Sequence, residues 1–498
     1  MPSVDERAVA EGGGGWDARP MLASERGGFI DRHDLWSQAQ YAAAGQVRRV
    51  IDELGLELIR FSFADQHGVL HGKTLTRLSA PAAFRDGLTA PSSLLLKDSS
   101  GRSALPVFTP DAEQGFAGAG DIVMVPDPTT FRVLPWAEKT GWVLCELRFP
   151  DGSPVPYCTR SMLRGQLAQL GDAGYDMTVG VELEFHVFRA TESALTPDRT
   201  GAPGAPGRPP AVGPLTSGAQ LLHEEGLDRV DDVVQLLQRG LNRLDLPLRS
   251  IELEFGASQL EITLQASGAA EAADQVVLTR SAIRQLCRRA GYHATFMSRP
   301  AGTATASTGW HLHQSLRERA TGRAAFEPGA DETLMSSTAR HWLGGLLAHA
   351  PAAAAFTTPT VNGYKRYLPY SLAPDRVLWG ADNKGAMVRV VSGRMENRSG
   401  EPAANPYLYV ASQVVSGLDG LKRGIDPGPP TENPYASDAV RLPQSLGAAI
   451  DELAKDTAFA DAFGSQVIDW YSRLKRDEFA RYLAHVSDWE QREYFDLF

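Results

Sequence analysis

Two acidic residues interrupt an apolar, strand-like run in the segment VGVELEFHVF, which spans residues 179–188. Because side chains alternate between the two faces of a strand, Glu182 and Glu184 are predicted to share one face, opposite Val181 and Leu183. Two neighbouring carboxylates repel each other and resist burial unless positive charge compensates them. A lone E-x-E pattern is typical of a solvent-facing strand, and it is equally what a cation site needs.

Acidic residues and histidines recur in three further strand-like segments. These are IELEFGASQLEI with Glu252, Glu254 and Glu261, TGWHLHQSL with His311 and His313 on one face, and RMENR with Glu396. Several glutamates with one imidazole form the oxygen-rich set that hard divalent cations prefer, with room for water and phosphate. The spacing alone does not show that the segments converge. An HLH pair is also typical of packed histidines, and it occurs in metal hydrolases.

Basic residues cluster in the last third of the chain. They lie in residues 360–398 and comprise Lys365, Arg366, Lys384, Arg389, Arg394 and Arg398. Guanidinium groups bind phosphate and carboxylate through paired hydrogen bonds, and they stabilise the charge that develops during phosphoryl transfer. The alternative is a set of surface arginines. The chain has no Walker A loop, kinase glycine-rich loop or GxGxxG unit, so a nucleotide would need another kind of site.

Bulk composition narrows the function classes. The chain has 498 residues, 43% of them apolar, and a net charge of −11, which argues against a nucleic-acid or anionic-membrane partner. Its three cysteines are far apart and form no CxxC motif, as expected for core residues in a reducing compartment. No apolar run of about 18 residues or more is present. These features predict a cytoplasmic protein.

The chain divides into three regions. Residues 1–33 contain a four-glycine run and no periodicity, which predicts a flexible N-terminal extension. A helix over 34–55, a hairpin and further short strands predict an N-terminal domain over 34–152, which ends at the turn sequence PDGSP. Residues 153–498 form the second predicted domain, in which the Gly- and Pro-rich segment 194–218 reads as a flexible insertion loop.

Taken in order, these segments resemble the glutamine synthetase family. The matching motifs are VELEF, EFGASQLE with Ser258 where glycine is usual, HATFMSRP, TGWHLHQSL, NGYKR and RMENRSGEPAANPYLYV, preceded by FADQHGVLHGKTL and GDIVMVPDP. The resemblance covers residues 45–498. It implies an α+β fold with an N-terminal β-grasp domain and a catalytic domain built on a curved antiparallel half-barrel sheet with helices. It also implies a homo-oligomer, a hexameric ring or stacked dodecamer, with each active site between neighbouring subunits.

The resemblance further implies an ATP-dependent carbon–nitrogen ligase. ATP phosphorylates the γ-carboxylate of glutamate, and an amine attacks the acyl phosphate. Two Mg²⁺ or Mn²⁺ ions are implied, one with Glu184, Glu254 and Glu261 and the other with Glu182, His311 and Glu396. The positions that match nucleotide contacts are His313, Ser315, Arg389 and Arg394. Those that match contacts to the substrate or the transferred phosphoryl group are Arg366, Lys384 and Arg398.

Departures from the family pattern bear on the amine. Leu372 stands where ammonia-using members carry a flap glutamate, and Ala90 stands where they carry an aspartate, with Asp86 and Asp98 nearby in sequence. Without these anions the site is poor for ammonium and has room for a larger amine. The chain is therefore similar to the branch of γ-glutamylamide synthetases that act on polyamines, ethanolamine, alkylamines or anilines. An aromatic amine would favour Trp310, Tyr370 and Leu372 as pocket residues.

Two further departures leave alternatives open. Ala306 and Ser307 replace the residues that hold glutamate's amino group, so the acid is less secure than the amine class. Lys384 replaces an arginine near the transferred phosphoryl group and lacks its fork of donors. A true glutamine synthetase and a catalytically silent structural or regulatory homologue are the alternatives to the amide ligase. Tyr435 lies near a modified tyrosine of some members, but its surroundings match weakly and predict no such modification.

Overall fold

The computed structural model describes residues 27–109, 115–192, 194–301, 306–330, 332–368 and 370–498. Within these residues the chain forms two β-sheets, each covered by helices around its own hydrophobic core. The smaller sheet lies in the region predicted as the N-terminal domain, and the larger sheet lies in the region predicted as the catalytic domain. The mixed α+β class predicted from the sequence is confirmed; the domain boundary between residues 152 and 153 stays a prediction.

The N-terminal sheet has five strands in the order β2-β1-β5-β4-β3. The strands are Leu58–Ala64 (β1), Leu70–Thr76 (β2), Leu88–Pro91 (β3), Asp121–Val133 (β4) and Thr140–Arg148 (β5). β1 and β5 are parallel, and the other neighbours are antiparallel. The predicted hairpin forms between β1 and β2. Its turn is held by the Asp65 carboxylate, which accepts hydrogen bonds from the backbone N–H groups of His67 and Val69.

Three helices cover this sheet: Phe29–Arg32 (α1), Gln38–Glu53 (α2) and Ala80–Asp86 (α3). Helix α2 starts at Gln38 because Ser37 and Gln40 form a capping box, and it ends before Gly55, whose φ of 57° suits glycine. Phe29 and Ile30 of α1 are buried. The last residues of the predicted N-terminal extension are thus packed, whereas residues 1–26 lie outside the described residues.

The larger sheet has nine strands, with β6 at its centre. The main order is β12-β13-β14-β11-β6-β9-β8, and β7 and β10 also pair with β6. The strands are Tyr175–Ala190 (β6), Val212–Gly213 (β7), Leu248–Leu253 (β8), Gln259–Gly268 (β9), Tyr292–Thr295 (β10), Trp310–Glu318 (β11), Trp379–Ala381 (β12), Val388–Val391 (β13) and Arg394–Gly400 (β14). All pairs are antiparallel except β12 with β13.

Helices cover one face of this sheet and fill the C-terminal region. They are Thr159–Asp172 (α4), Pro197–Thr200 (α5), Glu224–Asp228 (α6), Asp231–Asn242 (α7), Ala269–Arg289 (α8), Ser337–Ala348 (α9), Ala350–Thr357 (α10), Pro406–Arg423 (α11), Leu446–Leu453 (α12), Thr457–Phe463 (α13), Ser465–Leu483 (α14) and Asp488–Tyr494 (α15). α8 packs on β6 and β9, so Val181, Leu183 and Phe185 of β6 are buried there. The opposite face of β6 is left for the acidic residues.

Three smaller sequence expectations have structural outcomes. Residues 194–218 are not a featureless loop, because they contain α5 and β7, and Arg208 of this segment pairs with Asp198 and Glu192. The three cysteines are free and buried. No helix within the described ranges is long and apolar enough to cross a membrane.

Candidate active site

The predicted acidic segments meet on one face of four adjacent strands, β9, β6, β11 and β14. Their register pairs Glu184 with Glu261, Glu182 with His311, and His313 with Glu396. Because alternate residues of a strand face the same side, one register brings all six side chains to the face opposite α8. The convergence that the spacing alone left open is therefore present.

Two groups of potential metal ligands form within this cluster. The first consists of Glu182, His311 and Glu396, and the second of Glu184, Glu261 and His311; in each group the ligand atoms lie within 4.8 Å of one another. His311 Nδ1 is 3.3 Å from a Glu182 oxygen, and its Nε2 is 3.8 Å from a Glu184 oxygen. Carboxylates with one shared imidazole fit hard divalent cations. These residues could hold two such ions.

Glu254 is the one predicted metal ligand outside both groups. The sequence pattern predicted that Glu254 lies in a strand. β8 ends at Leu253, however, so Glu254 lies in the turn to β9. Its carboxylate nevertheless lies close enough to raise the pKa of Glu184. Glu254 therefore belongs to the rim of the cluster.

The same turn explains the unusual Ser258. Its φ is 62°, a left-handed conformation in which glycine is favoured. The Ser258 hydroxyl accepts a hydrogen bond from the Leu215 N–H at 2.6 Å, and its own N–H donates to Thr216 Oγ1 at 2.9 Å. Serine at this position thus ties the turn beside Glu254 to the end of segment 194–218.

Burial and mutual repulsion shape the titration of the acids. Burial and the Glu254 charge raise the pKa of Glu184 to about 8, and burial with the Glu184 charge raises the pKa of Glu261 to about 10. Burial also disfavours ionised Glu182, but hydrogen bonds from His311 and His313 outweigh it and lower the pKa of that carboxyl group. The cluster therefore holds more carboxylates than its own cations compensate, which a bound dication would correct.

Burial keeps the central imidazole neutral. It lowers the pKa of His311 to about 4, with a further contribution from the nearby Arg398 charge. A neutral imidazole has a lone pair free to bind a metal. The electrostatics of His311 therefore suit a ligand rather than a proton carrier.

Arginines flank the cluster on the β13–β14 side. Glu396 accepts a hydrogen bond from Arg389 at 3.0 Å on one oxygen and from Arg398 on the other. Arg366 is buried and donates to the Ser399 carbonyl at 3.0 Å. The Nε groups of Arg366 and Arg398 are buried and lack a partner in the described part of the chain. They are donors available to an anionic substrate.

The other predicted contact residues lie further from the cluster centre. Ser315 shares the strand face of His313 and is half-buried. Arg394 begins β14 and is exposed, as is Lys384 in the turn before β13. Lys384 is close enough to lower the pKa of Glu254, although burial raises that pKa more. The structure therefore places Arg394 and Lys384 at the rim, with Arg366 and Arg398 inside.

Sequence reasoning missed two groups that hold Glu184. The Gln259 amide donates to Glu184 Oε2 at 2.8 Å and to the Ser307 carbonyl at 3.1 Å, and the Gly309 N–H donates to the same Glu184 oxygen at 2.9 Å. Gln259 is part of the motif EFGASQLE, but the motif alone assigns no role to its side chain. The Gly309 contact is made by backbone, so no side-chain pattern could reveal it.

Comparison with known proteins decides the family. Residues 156–494 match the glutamine synthetase catalytic domain. The chain belongs to the glutamine synthetase family. It is 45% identical to a γ-glutamylanilide synthase of Acinetobacter sp over 506 residues, which covers 95% of this chain and all of the relative. It is 31% identical to a γ-glutamylethanolamide synthetase of Streptomyces coelicolor, over 89% of this chain and 93% of that one.

Solved structures agree with this family assignment. An apo structure of GmaS and a GmaS/ADP complex each match with a TM-score of 0.76 and 27% identity, covering 90% of this chain and 99% of theirs. The predicted glutamine synthetase fold is confirmed. The predicted enzyme class, an ATP-dependent carbon–nitrogen ligase of the γ-glutamylamide type, is confirmed by family membership and these relatives.

In this glutamine synthetase family member, the acids near Ala90 in sequence are already engaged. Ala90 itself is buried in β3. Asp98 accepts hydrogen bonds from Ser100 and pairs with Arg481 at 2.9 Å, and Asp86 caps α1 through the Phe29 N–H. Neither Asp86 nor Asp98 can take over the role of the aspartate that ammonia-using members carry at position 90 without giving up these partners.

The family's flap position is apolar and aromatic here. Tyr370 and Leu372 both adopt positive φ, of 59° and 58°, and are exposed. The Leu372 N–H donates to the Tyr435 hydroxyl at 3.3 Å, and the rings of Tyr370 and Tyr435 lie 4.8 Å apart. Trp310, in contrast, is fully buried against Tyr409, on the core side of β11. The suggestion that Trp310 lines an amine pocket is therefore wrong.

Proposed function

We propose that this protein joins glutamate to an aromatic amine, with ATP and Mg²⁺, to form a γ-glutamyl arylamide. The observation that carries the choice of amine is the missing pair of carboxylates: Leu372 and Ala90 stand at the two positions, and the neighbouring Asp86 and Asp98 are bound elsewhere. Ammonium, polyamines and ethanolammonium are cations that such carboxylates would bind and deprotonate. An arylamine is neutral at pH 7, so it needs no carboxylate to bind a positive charge or to remove a proton before it attacks.

The aromatic flap supports this choice of amine. Tyr370, Leu372 and Tyr435 present an apolar surface, of which Tyr370 is 79% exposed. Ring faces of this kind stack with an aryl group at little entropic cost. The 45% identical γ-glutamylanilide synthase supports the same assignment, whereas the γ-glutamylethanolamide synthetase is more distant at 31% identity.

We further propose that the two donor groups bind Mg²⁺ or Mn²⁺. His311 would be shared between the two sites, with Glu182 and Glu396 on one side and Glu184 and Glu261 on the other. Glu254, at the rim, would be a further ligand of the ion bound by Glu184 and Glu261. Divalent ions in such sites neutralise the charge of ATP phosphates and of the transferred group. The donor chemistry fits this role, because most ligands are oxygen atoms.

The protein's own donors have distinct proposed tasks. Arg366 binds the α-carboxylate of the acid, and Arg398 faces the γ-carboxylate and the group transferred to it; both have an unused buried Nε–H. His313, Ser315, Arg389 and Arg394 contact the nucleotide. Lys384 supplies a positive charge near the transferred group without the bidentate geometry of arginine, which predicts weaker transition-state stabilisation there.

The organisation of the chain is part of the proposal. An N-terminal β-grasp domain over residues 34–152 and a catalytic domain over 153–498 would assemble into a hexameric ring or stacked dodecamer. In that arrangement the N-terminal domain of one copy would complete the site of its neighbour. Size-exclusion chromatography with light scattering measures the copy number directly.

The deciding experiment measures phosphate release from ATP with Mg²⁺ and glutamate, in the presence of aniline, ethanolamine, a diamine or ammonia. We expect release with aniline and a product mass equal to γ-glutamylanilide. Faster release with ammonia would instead identify a glutamine synthetase. Release with another diacid in place of glutamate, but not with glutamate itself, would point to a different acid, as Ala306 and Ser307 suggest. No release with any pair would favour the silent homologue.

A further inference from the structure

A cavity lies between the two sheets, away from the carboxylate cluster. Its volume is about 510 Å³. The walls are the β1–β2 turn at residues 67–70, one side of α8, and the chain from β10 to Met297. None of the predicted metal, nucleotide or substrate residues lines it. The size suits a metabolite rather than a single ion.

The cavity is basic, although the chain as a whole is acidic. Arg280, Arg284 and Arg288 line it at intervals of four residues along α8, together with His67 and His293. Among the described residues, the lining includes no aspartate or glutamate. Like charges at this spacing on a helix repel each other. In a protein with net charge −11, such a stripe points to an external anion.

Arg280 is built into the floor of this cavity. Its guanidinium is buried and donates to the carbonyl groups of Pro402, Ala404 and Gly68, at 3.0, 2.8 and 3.0 Å. These partners are neutral, so the charge of Arg280 is held in place without a carboxylate in contact. Burial, followed by the Arg284 charge, lowers the pKa of Arg280 to about 10. A bound anion would relieve both effects.

The β1–β2 turn is shaped to admit this guanidinium. Gly68 has a φ of +70°, and a Cβ atom there would lie 2.7 Å from the terminal nitrogen of Arg280. Any other residue would be strained and would displace the arginine. The floor of the cavity is thus a packed arrangement of turn, helix and the segment before α11, and not a chance gap between surfaces.

The remaining arginines are free to bind. Arg284 and Arg288 are exposed, and neither forms an ion pair within the described part of the chain. Opposite them the wall is partly apolar, with Tyr292, Phe296 and Met297. One ligand could therefore place an anionic group against the arginines and an apolar group against this wall at the same time.

We propose that this cavity binds a small organic anion, whose carboxylate or phosphate group contacts the Arg280, Arg284 and Arg288 stripe and whose body packs on Phe296. Met297 of the cavity wall also contacts the segment beside the catalytic region, because its carbonyl accepts a hydrogen bond from Thr308 Oγ1 at 3.2 Å, next to Gly309.

The test is isothermal titration of the full-length protein in Tris buffer with inorganic phosphate, citrate or benzoate as probes. The variant is Arg284→Gln with Arg288→Gln, and the matched control is Arg289→Gln, which changes the next, non-lining arginine. We expect at least one probe to bind, and the double variant to weaken it about tenfold or more, because hydrogen bonds to charged groups are lost. The control should bind as the unmodified protein does. The preferred probe tells phosphate from carboxylate recognition.

Three results would overturn the proposal. One is equal binding by the unmodified protein and the double variant, which would place the anion elsewhere. Another is no binding of any probe. The third is a change of oligomer mass in the double variant with unchanged anion binding, which would mean that acidic groups of a second copy cover the cavity. Because the readout is binding and not turnover, failure here leaves the proposed ligase activity untouched.

Discussion

His311 lies at the centre of the carboxylate cluster because its two ring nitrogens face different acids. Nδ1 is 3.3 Å from Glu182 and 3.8 Å from Glu396, and Nε2 is 3.8 Å from Glu184. A single imidazole therefore belongs to both potential ligand groups. The arrangement explains why an H-x-H motif can accompany so many glutamates: one histidine is shared, and the other, His313, binds Glu182 from the outside at 2.8 Å.

Glu261 and Glu252 offer a matched test of the metal proposal, because they are cross-strand neighbours with different surroundings. Glu261 is buried within a ligand group, whereas Glu252 accepts a hydrogen bond from Ser250 outside both groups. We expect Glu261→Gln to lower Mg²⁺-dependent ATP turnover by about a hundredfold or more, the loss found when a group that stabilises transition-state charge is removed. Glu252→Gln should retain most activity. Turnover across a Mg²⁺ titration measures both, and equal losses would contradict the assignment of Glu261.

Leu372 tests the choice of amine at the same scale. We expect Leu372→Glu to raise the ratio of ammonia-dependent to aniline-dependent turnover about fivefold, because a partly exposed ion pair contributes up to about 1 kcal/mol. Leu368→Glu is the control, since both leucines are 40% exposed in the same segment. Initial rates with each amine give the ratio. The proposal that Leu372 sets amine preference fails if both variants shift the ratio equally.

At the scale of elements, α4 connects the two sheets through one buried guanidinium. Arg160 pairs with Asp127 of β4 at 2.8 Å and with Asp274 of α8 at 2.6 Å. Burial disfavours ionised Asp127, but the charges of Arg160 and Arg164 and the hydrogen bond from Thr129 together outweigh it and hold the pKa of that carboxyl group well below its usual range. The N-terminal sheet and the helices that support β6 are thus joined by charge as well as by apolar packing.

Arg160 and Arg164 contact the same acids, Asp127 and Glu146, but differ in burial. Their side chains are 5% and 41% exposed. We expect Arg160→Ala to lower the free energy of unfolding by about 3–5 kcal/mol, because it removes a buried guanidinium and leaves Asp274 without an ion pair among the described residues. Arg164→Ala should cost about 1 kcal/mol or less. Urea unfolding followed by circular dichroism measures both, and equal costs would show that burial does not decide the effect.

Helix packing in the C-terminal region depends on His349. It lies between α9 and α10, and its ring nitrogens are 2.7 Å from Asp456 and 2.8 Å from Asp419 of α11. Burial alone would lower the pKa of His349, but the hydrogen bonds to both aspartates outweigh it, and the pKa is raised above 6.5. The protonated form of the ring has a donor for each of the two carboxylates.

The raised pKa makes a signed prediction for stability. A group with a higher pKa in the folded state contributes its full stability below the unfolded value near 6.5, and loses that contribution as pH rises through the folded value. We expect the thermal midpoint of the unmodified protein to fall over this window more than that of His349→Gln. Differential scanning calorimetry at several pH values gives both curves, and parallel curves would contradict the prediction.

At the scale of the whole molecule, the net charge of −11 is distributed unevenly. Acids concentrate on the face of the larger sheet opposite α8, and a stripe of arginines on α8 lines the cavity. One face is suited to cations and the other to anions. The acidic cluster is built on β6 and its neighbours, and β10, which lines the cavity, also pairs with β6, so the central strand links the two regions.

This charge distribution predicts that divalent cations stabilise the fold. In the proposed sites Mg²⁺ would bind the folded cluster and not the unfolded chain, so a concentration of about 100 times the dissociation constant should add about 2.7 kcal/mol. The thermal midpoint should rise with Mg²⁺ and fall again with a chelator. Glu261→Gln should show a smaller rise, and an unchanged midpoint in the unmodified protein would contradict metal binding at the cluster.

The amino-acid sequence alone determined which residues of each strand share a face, and it determined the chemistry of the site. Alternation placed Glu182 and Glu184 on one face, and the ordered motifs were sufficient to identify the family and the amide-ligase class. The same alternation places Trp310 and His311 on opposite sides of β11, and the expectation that Trp310 lines an amine pocket, which rested on its aromatic character, is wrong for that reason. Local pattern is reliable here because one slip of register would expose the entire apolar face.

Tertiary structure alone decided which distant groups meet. Glu254 is placed in a turn by the end of β8, the Gly309 N–H reaches Glu184 across the sheet, and Asp98 is taken up by Arg481 nearly four hundred residues away in sequence. The basic cavity arises only where the β1–β2 turn approaches α8. Such contacts depend on how elements dock, and docking is governed by packing over the whole core, which no short segment of sequence encodes.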